Sequence, residues 1–138
     1  METKKCIDKV QEAFESCYEV LEKLFIAYQE GDEDRHIDDI GTFWEYGLSF
    51  DYVTPGTYTD QDQGYFRYQI SYGGPSEEFR FYVNPDFSCY FVEFWYLDWF
   101  DGASIELNGI EKELLIEIYD LFQEIGSVES EYKKAIEE

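Results

Sequence analysis

Along the first thirty residues the apolar positions recur at alternating steps of three and four. Ile7, Val10, Phe14, Cys17, Leu21, Leu24 and Tyr28 form one stripe, which predicts a helix over residues 4–29. Gly31, inside the run Glu30-Gly31-Asp32-Glu33-Asp34, is placed to end it. From Leu48 the period changes to two: Leu48, Phe50 and Tyr52 alternate with Ser49, Asp51 and Val53 until Thr54-Pro55-Gly56. A polar loop leads to GYFRYQISY (64–72), the turn Gly73-Gly74-Pro75-Ser76, EEFRFYV (77–83), the turn Asn84-Pro85-Asp86-Phe87 and CYFVEFWYLDWFDG (89–102). Alternating runs joined by short turns predict an antiparallel meander of four strands. After a short SIEL segment, Asn108 stands three residues before Glu111, a capping-box-like start for a helix carrying Ile110, Leu114, Ile118, Leu121 and Ile125. Gly126 ends or kinks that helix, and SVESEYKKAIEE continues it as a short frayed one. The expected fold is a single α+β domain over residues 1–138. A four-stranded antiparallel meander is flanked by a long N-terminal helix and a C-terminal helix.

Four-residue loops at 73–76 and 84–87 would register the hairpins. They set Tyr72 opposite Glu77, Ile70 opposite Phe79, Gln69 opposite Arg80, Val83 opposite Ser88 and Phe81 opposite Tyr90. One face then carries Phe66, Tyr68, Ile70, Phe79, Phe81, Val83, Tyr90, Val92 and Phe94, a core for a helix to cover. The other carries Tyr65, Arg67, Gln69, Glu78, Arg80, Tyr82, Phe91, Glu93, Trp95, Leu97 and Trp99. Glu93 falls diagonal to Arg80, within reach of a cross-strand ion pair. The outer rings require cover from the second helix, another subunit or a target. Phe91 is expected to be buried internally, and Trp99, beside Asp98 and Asp101, to lie at a contact.

Composition fits a folded chain, with 44% apolar residues and abundant aromatics (13 Tyr, 12 Phe, 3 Trp). Charge changes the picture. The chain holds 32 Asp+Glu against 10 Lys+Arg, a formal net charge of −22. Self-repulsion on that scale opposes a compact state. It disfavours nucleic acid and anionic membranes as partners and favours a basic protein, whose approach it steers. Solubility alone accounts for a net charge of magnitude roughly 2–8. Adaptation to high salt is an alternative, but Glu (20) exceeds Asp (12) and Ala is scarce (4), against the expected bias toward Asp and small residues. Cys6, Cys17 and Cys89 show no zinc spacing, and the first two are too far apart along one helix for a disulfide. METKKCIDKV lacks the apolar region of a secretory signal. A reducing compartment, the cytoplasm, is the expected setting.

Motifs for catalysis are lacking. His36 stands alone in the charged run GDEDRHIDD, and GxSxG, GxxxxGK[ST], HExxH and GxGxxG do not occur. Calcium-loop spacings beginning at Asp32 and Asp60 fail at the glycine position, which holds Ile37 and Tyr65. Carboxylates beside aromatic walls leave a sugar-cleaving site as a minor alternative. The expectation is no enzyme, no metal and no cofactor.

The helix acids carry more information. Asp8, Glu12, Glu15, Glu19 and Glu22 form one row, turned about 150° from the apolar stripe. Glu113, Glu117, Asp120 and Glu124 form a second. Like charges at these spacings cost a few tenths of a kcal/mol each, whereas a solvated face ordinarily mixes signs. Charges about 5 Å apart along a helix approach the 3.4 Å spacing of a DNA strand. Spread evenly, the net charge is about threefold too dilute to imitate DNA, so the acids must gather on one side. In composition and in these rows the chain resembles the small acidic DNA-mimic proteins of phages and plasmids, the antirestriction and anti-CRISPR inhibitors. The resemblance implies an inhibitor that occupies the basic DNA- or RNA-binding groove of a host defence nuclease or its targeting complex, in the host cytoplasm. The candidate contact residues are the two rows with Asp98, Trp99 and Asp101. An immunity protein that blocks a basic toxin nuclease is the nearest alternative, favoured by the outer aromatic group. The first helix's stripe also leaves a homodimer open.

Overall fold

The computed structural model describes residues 5–31, 41–72, 75–98 and 101–137. Helix α1 spans Cys6–Gln29, followed by the single turn α2 (Phe43–Tyr46) and strands β1 (Ser49–Val53), β2 (Tyr65–Ser71), β3 (Ser76–Val83), β4 (Cys89–Asp98) and β5 (Asp101–Glu106). Two helices close the chain, α3 (Gly109–Glu124) and α4 (Ser127–Ile136). The strands form one antiparallel sheet in sequence order, β1-β2-β3-β4-β5. The meander thus has five strands, not four. The added strand takes in the first three residues of the SIEL segment, and along it Ala103 and Ile105 alternate with Gly102, Ser104 and Glu106. That apolar signal is too short and too weak to announce a strand.

Helix boundaries follow their breakers. Gly31 adopts φ +87° just past the end of α1 and donates its N–H to the Tyr28 carbonyl at 3.1 Å. Gly126, at φ +89°, separates α3 from α4. Asn108 precedes α3 as expected, but its side chain makes no cap; its amide donates to the Glu106 carbonyl.

Each hairpin pairs two residues away from the expected register. Phe66 faces Phe81 and Tyr68 faces Phe79; Phe81 faces Val92. One residue of the slip comes from a longer loop and one from a bulge, beside Ile70 in the first hairpin and beside Val83 in the second. An even slip leaves every side chain on its face. Phe66, Tyr68, Ile70, Phe79, Phe81, Val92 and Phe94 are accordingly buried. Val83 is half-buried against this core, and Tyr90 is exposed at 44%, because the bulge turns it outward with Phe91. The second turn places Phe87 at φ +69°, held by Asn84 and Ser88 and by the Tyr119 hydroxyl, which donates to the Phe87 carbonyl at 2.5 Å.

All three long helices pack against one face of the sheet. Phe14 of α1 meets Phe79 and Phe94, Tyr119 and Phe122 of α3 meet Phe66, Phe81 and Tyr68, and Tyr132 of α4 meets Tyr52. The buried residues of α3 are Leu115, Ile118, Tyr119 and Phe122, one helical step round from the expected stripe; Ile110 and Ile125 are exposed. On α1 Cys6 replaces Ile7 as the first buried position. Cys6, Cys17 and Cys89 are free thiols. No helix among the described residues is long and apolar enough to cross a membrane. With every long helix on one side, the other face of the sheet has no helix over it among the described residues.

Candidate functional site

The molecule therefore presents two unlike surfaces. On the helix layer, the acids of α1 stand about 160° from its buried stripe, and those of α3 about 180° from theirs. Asp8, Glu12, Glu15, Glu19, Glu113, Glu117, Asp120 and Glu124 are exposed, and Glu22 is half-buried. The two rows point the same way, because both helices bury their apolar sides against the same sheet face. Beside the α1 row stands Tyr18, whose hydroxyl donates to Glu22 at 3.3 Å. Burial, then the charges of Glu22 and Glu111, push that phenol up to about 12. Cations are sparse there: Lys23 pairs with Glu19 at 3.1 Å.

On the sheet's open face the carboxylates are built in. Direct register partners align one ionisable residue from each strand into a transverse row: Asp51, Arg67, Arg80, Glu93, Glu106. Arg67 donates through Nε and Nη2 to both oxygens of Asp51, at 3.0 and 2.7 Å, and these bonds hold its pKa above the ordinary arginine value. Arg80 donates to Glu78, 2% exposed, at 2.7 Å. Its guanidinium lies 4.0 Å from the Trp95 ring centroid and 4.5 Å from that of Tyr65. Two arginines directly opposite each other would repel. Each instead has its own carboxylate.

The expected Glu93–Arg80 ion pair is replaced by another arrangement. Glu93 sits straight across from Arg80, and its Oε1 accepts the Tyr82 hydroxyl at 2.7 Å and the Trp95 indole N–H at 3.0 Å. Burial and this bond to Glu93 hold the Tyr82 phenol well above its usual pKa. Phe91, expected inside, is half-buried, with Tyr82 edge-on at 5.4 Å between ring centroids. The loop between β1 and β2 folds over one end of the face, where Gln63 hydrogen-bonds Tyr90. Together these residues line an open concavity of about 850 Å³. Tyr65 is wholly buried beneath it, and its hydroxyl has no protein partner.

The remaining candidates divide. Asp98 is half-buried at the end of β4. Asp101 serves the fold, since its Oδ2 accepts the Cys6 backbone N–H at 2.8 Å and fastens the start of α1 to β5. That bond holds its carboxyl below the usual range. Trp99 and His36 lie outside the described residues. Burial pushes the Cys17 thiol up to about 12 and the Cys89 thiol up to about 11, leaving both protonated at neutral pH. No cluster of three or more His, Cys, Asp or Glu that could hold a metal ion occurs among the described residues. Sequence reasoning named most of the residues on the open face but not the charge row, which exists only once four strand pairings and two bulges are in place. No family model matches the chain, and no match emerges among curated proteins or solved structures.

Proposed function

We propose that this chain is an acidic mimic of nucleic acid that lays its helix layer on the basic DNA- or RNA-binding surface of another protein, a restriction enzyme, a CRISPR effector or a comparable defence nuclease. One observation carries the reading: the rows Asp8–Glu22 and Glu113–Glu124 both face away from the shared core on the same side of the sheet. Even spreading leaves the charge too dilute to resemble DNA, and two rows on one side of the sheet support the reading by concentrating part of it. The acids act as a surface that steers and aligns a basic partner, and no single carboxylate is catalytic. The cytoplasm of the host cell is the setting that goes with such a target.

Affinity capture from host lysate at low and high salt, followed by identification of the captured protein, tests the reading. The expected result is a nucleic-acid-binding protein retained at low salt, released at high salt and displaced by competing duplex. A partner without a nucleic-acid-binding surface, or one held equally by a Glu12→Lys, Glu15→Lys, Glu19→Lys variant, would sink it. The second reading, an immunity protein against a basic toxin nuclease, draws on the half-exposed Phe91 and Trp95 of the open face, which could serve as anchor residues.

A further inference from the structure

We infer that the concavity on the sheet's open face is a binding site for a short neutral oligosaccharide. This surface lies on the opposite side of the sheet from the acid rows, and the inference does not rest on them.

The floor of the concavity supplies the first argument. Arg80 and Glu93 stand straight across from each other on β3 and β4, and both line it. Each is fixed by bonds to other groups. Arg80 gives its Nε to Glu78 and keeps N–H donors on its two Nη groups. Glu93 accepts the Tyr82 hydroxyl and the Trp95 indole on Oε1, which leaves Oε2 to accept from a ligand. A donor and an acceptor are thus held side by side. Neighbouring hydroxyls of a sugar ring match them, one accepting from Arg80 and the next donating to Glu93.

A second, independent feature lies just under the floor. The wholly buried Tyr65 hydroxyl has no hydrogen-bond partner among the described residues. The Arg80 guanidinium lies 4.5 Å from the Tyr65 ring centroid. The side chains that act on Tyr65 electrostatically are Arg80, Glu78, Tyr58 and Arg67, and all four line the concavity. A buried hydroxyl left unmet is costly, and a water seated beneath a bound sugar would meet it.

Walls and charge narrow the ligand further. The rings of Tyr58, Tyr90, Phe91 and Trp95 line the concavity, and Tyr58 and Tyr90 are 50% and 44% exposed. Open rings beside fixed polar groups suit a sugar ring, whose C–H faces are apolar and whose edge is polar. An anion would meet Asp60, Asp62, Glu78 and Glu93 on the same lining, in a chain of net charge −22. A cation would be set against Arg67 and Arg80, which face each other on β2 and β3. A neutral polyhydroxyl ligand meets neither objection. The volume of about 850 Å³ falls within the range of small-molecule sites and leaves room for a short oligosaccharide.

Titration of the full-length, isotopically labelled protein with cellotriose, maltotriose and N-acetylchitotriose, followed by NMR, tests the site. Cationic chitotriose and anionic trigalacturonate serve as comparisons. The expected result is saturable shifts at Tyr82, Phe91, Glu93 and Trp95 with at least one neutral sugar, bound about tenfold more tightly than trigalacturonate. Glu93→Gln keeps an acceptor for Tyr82 and Trp95 but replaces Oε2 with a donor, and should weaken that sugar about tenfold. Tyr90→Ala, which removes an exposed ring, should weaken it about fivefold and carries the test if Glu93→Gln disturbs the fold. Joint Glu12→Gln and Glu15→Gln substitution should leave binding unchanged. No saturable shift with any neutral sugar, shifts confined to the acids of α1 and α3, or equal or tighter binding of either charged sugar in the concavity would each overturn the inference.

Discussion

The helix layer and the open sheet face are both rich in carboxylates, yet they use them in opposite ways. On α1 and α3 the acids project into water, and few of them meet a cation; Glu19 with Lys23 is one that does. On the sheet, Asp51 and Glu78 are each tied to an arginine, and Glu93 accepts two hydrogen bonds. A solvated carboxylate costs the fold only its repulsion from neighbours. A buried one left without a partner costs the fold several kcal/mol. The same residue type therefore contributes little to folding on the helix layer and, at Glu78 on the other face, a great deal.

The largest expected effect sharpens this contrast. Glu78→Ala would leave the Arg80 guanidinium without its partner, and such losses from a buried pair cost about 3–5 kcal/mol. Glu15→Ala, on the exposed row, should stay within about 0.5 kcal/mol of the parent. Urea denaturation of the two variants measures both, and equal costs would break the distinction. Next come the aromatics. Phe94, fully buried under α1, should cost about 3–5 kcal/mol as Phe94→Ala, and the half-buried Phe91 roughly half that as Phe91→Ala. Melting temperatures of the two decide whether Phe91 is core or surface.

Charge reversal of Glu12, Glu15 and Glu19 to Lys should leave folding intact or improved, because repulsion is relieved. In a target-binding assay it should slow association about tenfold or more at low salt, with the difference shrinking as salt rises. The smallest effect concerns Asp101→Asn. The folded carboxyl of Asp101 titrates below its ordinary value, so the stability it contributes is present at neutral pH and is lost as pH falls through that lowered value. The variant should melt slightly lower at pH 7 and lose less on acidification than the parent. A pH series of melting curves reads this directly.

What was legible in the sequence follows from how far apart the cooperating residues lie. The acid rows depend only on spacing within one helix, so the positions of Asp8 to Glu22 and Glu113 to Glu124 could be read without any knowledge of packing. The two sheet faces were legible as well, because a slip of two residues preserves alternation. The loops and bulges that caused the slip have no separate signature: Ile70 and Tyr90 look like ordinary members of their runs. Tyr90 was misplaced for that reason. The fifth strand was hidden by its small and polar residues. The stripe of α3 was misread because Ile110, Leu114 and Ile125 satisfy helical spacing as well as Leu115, Tyr119 and Phe122 do, and packing alone selects between them. Which face the second helix would cover was also a matter of packing. The open concavity with its charge row therefore emerged only from the folded arrangement.

The bond between Cys6 and Asp101 joins residues 95 positions apart, while every strand pairs with its neighbour in sequence. During synthesis on the ribosome, α1 emerges before the sheet, and its docking site on β4 and β5 is among the last parts of the sheet to appear. The helix must wait with Val10, Phe14, Leu21 and Leu24 uncovered, which is when an amphipathic segment is most prone to associate with others of its kind. A row of five acids on its outer side keeps waiting copies apart by repulsion. Nascent chains stalled before residue 101 should therefore stay dispersed at low salt and aggregate as salt rises, whereas chains released after β5 should not. The acid row of α1 then has work to do before there is a folded surface for any partner to meet.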